Sequence, residues 1–97
     1  MYNLELTRKS EEKLDFIKST NLDLFNLIIL ELQELKTNFT NSNNIKNIWN
    51  WIFRKRVWRW RILFTKNNDI ITIWIIDIEK DTQKDYKKWK EYIISKM

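Results

Sequence analysis

The chain contains no glycine and no proline. These two residues build most tight turns, glycine by adopting positive φ without steric cost and proline by presetting φ near −65°. Wherever this backbone reverses sharply, asparagine or aspartate must stand in, since they tolerate the left-handed region best among residues that carry a Cβ. The Thr20-Asn21 pair, the Asn-rich stretch 37–44 (TNFTNSNN) and residues 66–69 (KNND) are therefore the expected reversal points.

Hydrophobic periodicity fills the intervals between them. Tyr2, Leu4 and Leu6 alternate with Asn3, Glu5 and Thr7, which predicts a short half-buried strand. Ser10, followed by Glu11 and Glu12, reads as an N-cap, and Leu14 and Ile17 carry a short helix to about Ser19. Phe25, Ile28, Leu32 and Leu35 recur at helical spacing over 22–36, so a second helix pairs with the first as a hairpin. After the loop at 37–44, residues 48–54 alternate Trp49, Trp51 and Phe53 with Ile48, Asn50, Ile52 and Arg54, predicting a strand. A tight turn near Lys55-Arg56 leads to a strand over 57–65, and the turn at 66–69 to an almost wholly β-branched and aromatic strand over 70–78. Asp81 or Thr82 can cap a last helix, 83–95, whose apolar face carries Tyr86, Trp89, Tyr92 and Ile93. The expected fold is α+β in the order β-α-α-β-β-β-α, an antiparallel-rich twisted sheet on a helical hairpin, forming a single domain over 1–97.

Charge is concentrated. Between Arg54 and Lys66 lie six basic residues (Arg54, Lys55, Arg56, Arg59, Arg61 and Lys66) and no acidic one, more than the net charge of +5 carried by the whole chain. On a strand from Val57, Trp58, Trp60, Ile62 and Phe64 would share one face and Arg59 and Arg61 the other. Two arginines at i and i+2 stand about 7 Å apart, close to the phosphate repeat of a single nucleic-acid strand, and each can grip a phosphate bidentately. The same pattern also suits a solvated strand face, and both readings stand. Interleaved aromatics and cations can form a base-stacking platform, but Trp58 and Trp60, sharing a face with Ile62 and Phe64, are assigned to the core, as are Trp49, Trp51 and Trp74. The segment 78–84 (IEKDTQK), where a strand runs out ahead of a helix, is either an oxyanion site or a capped charged connection.

Several chemistries are excluded by what is missing. Without His or Cys there is no His/Cys zinc cluster, no disulfide and no Ser-His-Asp arrangement, and without Gly no glycine-rich phosphate loop. No cofactor and no metal are expected. The apolar runs fall far short of the ~20 residues that a bilayer requires, and the opening residues MYNLELTRKSEEK have no apolar core of a signal peptide, so no membrane partner is expected and the cytoplasm is the expected location. Cleavage of RNA by its own 2′-hydroxyl fits the residues that remain. The substrate supplies the nucleophile, arginines stabilise the phosphorane, and a lysine among cationic neighbours moves a proton.

Three segments, taken in order, resemble the RelE superfamily of bacterial toxins, specifically its HigB-like branch with the phage-derived host-inhibition proteins. Ile48-Trp49-Asn50-Trp51-Ile52 matches a second strand of the type LWELR, Trp60-Arg61-Ile62-Leu63-Phe64 a YRILF-like third strand, and Lys80-Asp81-Thr82-Gln83-Lys84 a KKTQK-like segment ahead of a lysine-rich helix. The resemblance covers essentially the whole chain. It implies a RelE-like fold and the toxin of a type II toxin–antitoxin system, an endoribonuclease that cuts mRNA in the decoding site of the ribosome, inhibits translation, and is silenced by a cognate antitoxin. On that basis Arg61, Arg59 and Lys80 are the expected catalytic residues, with Arg61 and Arg59 on the scissile phosphate and Lys80 moving the proton. Arg54, Arg56, Lys84, Thr82 and Gln83 are expected to bind RNA. Asn50 and Ile52 stand where the family has Glu and Arg, and Asp81 replaces the second lysine of the pair. The competing readings are a non-cleaving protein that binds RNA or the ribosome, a ParE-like toxin that inhibits gyrase by protein contact, and a basic structural or ribosome-associated protein.

Overall fold

The computed structural model describes residues 2–37, 39, 45–78 and 82–97, with side chains left aside at 82–85. In chain order the elements are β1 (Asn3–Leu6), α1 (Arg8–Thr20), α2 (Leu22–Thr37), β2 (Ile45–Trp49), β3 (Ile52–Val57), β4 (Trp60–Asn67), β5 (Ile70–Ile78) and α3 (Thr82–Lys96). They form an α+β fold around one five-stranded sheet in the order β1-β5-β4-β3-β2. β1 runs parallel to β5, and the other pairings are antiparallel.

The helical hairpin and the closing helix form where the periodicity predicts them. Thr7 rather than Ser10 caps α1, accepting a hydrogen bond from the Ser10 amide at 3.3 Å. Ser10 sits a turn inside the helix, where its buried hydroxyl donates to the Ile73 carbonyl at 2.8 Å and ties α1 to β5. Asn21 both breaks the chain and restarts it, its Oδ1 accepting from the Leu24 amide at 3.1 Å. In α2 the fully buried stripe is Leu24, Ile28, Leu32 and Leu35, with Phe25 half-buried beside it. The expected loop at 37–44 and the expected caps at Asp81 and Thr82 fall mainly outside the described residues.

The sheet has one strand more than the sequence pattern predicts. Residues 48–54 are not a single strand, because the chain reverses at Asn50-Trp51, and no turn lies at Lys55-Arg56, which are mid-strand in β3. The segment matched to an LWELR strand thus straddles a hairpin loop. The three hairpins share one design. Closing pairs Trp49↔Ile52, Val57↔Trp60 and Asn67↔Ile70 each leave a two-residue loop. In each, the first loop residue has positive φ: Asn50 at 44°, Trp58 at 57° and Asn68 at 54°. Left-handed first positions suit the right-handed twist of hairpin strands, and glycine is their usual occupant. Two of the three use asparagine, as the absence of glycine dictates.

Trp58 is the exception. It is not core, as the alternation suggests, but 72% exposed at the tip of the β3–β4 hairpin. A bulky side chain in the left-handed region costs about 1–2 kcal/mol. Trp58→Asn is therefore expected to raise the unfolding free energy by about 1 kcal/mol. Urea unfolding measures it, and an unchanged midpoint would mean the turn is unstrained.

Both faces of the sheet are covered. The helical hairpin packs on one, burying Ile17, Ile28, Leu35, Ile62, Phe64, Ile71 and Ile73 completely or almost so, with Trp60 half-buried at the margin. Ile52, Leu63, Ile75 and Ile93 close a second core under α3, joined by Trp49, Trp74, Tyr86, Trp89 and Tyr92. Trp51 is in a loop and 41% exposed, with its indole donating to Met97 Sδ at 3.2 Å. A register shift in β5 at Trp74, between Phe64↔Ile73 and Leu63↔Ile75, lets Trp74 and Ile75 both face the second core. The Trp74 indole donates to Thr65 Oγ1 at 2.9 Å.

Candidate nucleic-acid interface

Residues directly opposite each other in an antiparallel ladder share a face, which sorts the cations of the hairpin. Lys46 pairs with Arg54, Arg54 with Leu63, Arg56 with Arg61, and Arg61 with Asp77. Leu63 belongs to the core under α3, so Lys46, Arg54, Arg56, Arg61 and Asp77 all stand on that face. Arg54 and Arg56 are the pair at i and i+2 that actually forms, and Arg61 completes a triangle across β4. Arg59 lies in the loop after Trp58, exposed and outside the strand, so it does not share a strand face with Arg61.

Arg61 is fully buried. The expectation of an open arginine face is corrected here: α3 lies across it, with the Tyr86 ring centred 5.1 Å from the Arg61 guanidinium. Two features ease the cost of burying this charge, the aromatic face above it and Asp77 beside it on β5. Arg56, directly opposite, is a like charge and works against that arrangement. Arg54 Nε, Tyr86 Oη and Trp89 Nε1 are buried on this side with no hydrogen-bond partner among the described residues. Each such group carries a desolvation penalty that an anionic or hydroxyl-bearing ligand would relieve.

Lys55, counted in sequence among the clustered cations, faces the other way. It is fully buried under α2, with Nζ 2.9 Å from Glu31 Oε2, and belongs to the interior. Lys80 lies outside the described residues. Thr82, Gln83 and Lys84 open α3, and only their backbone is described. The structure therefore brings Arg54, Arg56 and Arg61 together and separates Arg59 from them.

A cleft of about 440 Å³ adjoins the site on the far side of Asp77, lined by Lys9, Lys13 and Phe16 of α1 and by Trp89 of α3. Lys9 Nζ stands 5.5 Å from the Trp89 ring centre, and Lys13 Nζ 5.7 Å from that of Trp60. Neither lysine stands out in the sequence. Their spacing of four on one helix was the available signal, but only the packing of α1 on β5 and α3 shows where that face points. Tyr86 was legible as part of an apolar helix face, not as the lid on an arginine.

No protein-family model matches the sequence, and no curated protein matches it. Solved structures are similar in three dimensions. A chain of the YoeB–YefM complex from Staphylococcus aureus superposes with a TM-score of 0.68 at 13% identity, covering 82% of this chain and 99% of that one. A YoeB/ParE toxin from Agrobacterium tumefaciens gives 0.67 at 14% identity, covering 82% of this chain and 100% of that one. A chain of the chromosomal ParDE toxin–antitoxin system from P. aeruginosa gives 0.62 at 18% identity, covering 82% and 98%. The chain thus has the α+β fold of the YoeB- and ParE-type toxins.

Proposed function

We propose that residues 1–97 form the single toxin domain of a toxin–antitoxin system, acting in the cytoplasm as a ribosome-dependent mRNA endoribonuclease. Similarity to toxins of such systems supports the general reading, and the three sequence segments favour the HigB-like branch of the RelE superfamily. The observation that carries the nucleic-acid reading is the convergence of Arg54, Arg56 and Arg61 on one sheet face, with Arg54 Nε buried and unsatisfied among the described residues.

In this reading the RNA enters between the sheet and α3. Arg61 cannot touch a phosphate while it is fully buried, so Tyr86 and its turn of α3 move aside when the strand binds. The 2′-hydroxyl attacks the adjacent phosphorus and the 5′-oxygen leaves. Arg61 and Arg54 stabilise the extra negative charge on the phosphorane oxygens, where fixed guanidinium donors in a dry site act most strongly. Lys80, next to this end of β5 in sequence, is assigned the proton transfer from the attacking 2′-hydroxyl to the departing 5′-oxygen. Arg56, Arg59 and the start of α3 at Thr82, Gln83 and Lys84 hold the RNA backbone. A cognate antitoxin silences the protein by covering the same cationic face.

Inducing the protein in a bacterial host is expected to arrest growth and leave truncated messages, with co-expression of a cognate antitoxin restoring growth. Arrest with intact transcripts would contradict cleavage. The likeness to ParE-containing structures supports a second reading, inhibition of gyrase by protein contact. Induction of a DNA-damage response while translation continues would favour it over RNA cleavage.

A further inference from the structure

Trp58 is the most exposed aromatic among the described residues, and its side chain makes no hydrogen bond or ring contact with any of them. At the other end of β4 the same two-residue loop is built with Asn68 in the left-handed position, and between β2 and β3 with Asn50. Trp58 therefore occupies a place where this chain otherwise puts the residue that suits the backbone, and it gives 72% of its surface to solvent. Arg59 follows it in the loop, and Arg56, also exposed, precedes the closing pair. Lys13 lies against Trp60, the first residue of β4, so the flank of the hairpin is cationic as well.

We infer that the Trp58-Arg59 hairpin tip is a stacking platform for an unpaired RNA base, with Arg59 holding the phosphate beside it. This rests on the reading of the sheet face as an RNA site and extends it to a subsite outside the catalytic cluster. An indole offers a flat apolar face that any unpaired base can cover, and an adjacent guanidinium offers two donors to the neighbouring phosphate. The tip also lies in the right place. Arg56, on the sheet face that Arg61 shares and directly opposite it, is the last residue before the closing pair of the hairpin, so a strand lying along Arg61 and Arg56 runs on toward the tip. A paired base, stacked within a duplex, has no free face to give Trp58, and the platform selects single strands.

The test uses a fluorescein-labelled single-stranded oligoribonucleotide of twelve mixed bases (about 12 nt, sized to span both subsites), with 2′-O-methyl groups to prevent cleavage, titrated by anisotropy against the full chain. Trp58→Ala and Trp58→Asn are each expected to weaken binding about tenfold, while Trp58→Phe stays within about threefold of the parent. Trp58→Asn serves as the folding control, because asparagine suits the left-handed turn and a loss of affinity there does not come from unfolding. Affinity for an RNA duplex of the same length is expected to change less than about twofold in all three. Parent-like binding of the single strand by Trp58→Asn overturns the platform and leaves the sheet-face site standing. Failure of the parent protein itself to bind the oligonucleotide, both free and in the presence of ribosomes, overturns both.

Discussion

Arg61→Lys is expected to lower the rate of RNA cleavage about 100-fold while the protein remains folded. Lysine keeps the charge and much of the length but loses the planar fork, so it holds one phosphate oxygen where arginine holds two. The position leaves little room for compensation. Arg61 stands between Arg56 on β3 and Asp77 on β5, which fix the direction in which its donors point. Single-turnover cleavage of a ribosome-bound message measures the effect, with far-ultraviolet circular dichroism as the check on folding. Cleavage within threefold of the parent would remove Arg61 from the transition state and leave it as a buried structural cation.

Glu31→Gln is expected to cost about 3 kcal/mol of stability, a large share of the roughly 5–15 kcal/mol available to a domain of this size. Lys55 Nζ and Glu31 Oε2 are 2.9 Å apart, with the lysine side chain fully buried and that of the glutamate 27% exposed. Removing the carboxylate charge takes the Glu31 counter-charge from a buried ammonium between β3 and α2. Lys55 retains a further interaction, which places the effect at the low end of the range for a broken buried pair. The double replacement Glu31→Leu with Lys55→Met is expected to recover most of the loss, because an apolar pair of similar volume carries no uncompensated charge. Urea unfolding of the two variants decides it. If the single variant were as stable as the parent, the ion pair would be contributing nothing to the docking of α2 on the sheet.

The elements read correctly from sequence are those whose signal is local. The stripe through Ile28, Leu32 and Leu35 announces a helix at a period no strand can satisfy, and Asn21 and residues 66–69 mark turns with residues that physically favour them. From Trp60 onward the alternation in β4 is also correct, with Trp60, Ile62 and Phe64 on the helical-hairpin side and Arg61 and Leu63 opposite. The misreading lies between Ile48 and Trp58. A two-residue hairpin loop interrupts the polar and apolar alternation so briefly that 48–54 looks like one strand. Trp58 carries no turn signal, because tryptophan is a residue that turns usually avoid. Moving the turn from Lys55-Arg56 to Trp58-Arg59 took Arg59 off the strand and put Arg54 and Arg56 onto the face that Arg61 shares.

By itself the sequence determined the α+β class, the helical hairpin, the absence of glycine-based turns and the concentration of positive charge between Arg54 and Lys66. Those properties follow from side-chain type and spacing along the chain, and they survive any error in strand pairing. Which cations serve together was decided only in three dimensions. Register set Arg54, Arg56 and Arg61 side by side, the docking of α2 drew Lys55 into the interior, and the closure of α3 placed Tyr86 over Arg61. Each of these is a contact between residues far apart in sequence, and no local pattern encodes it.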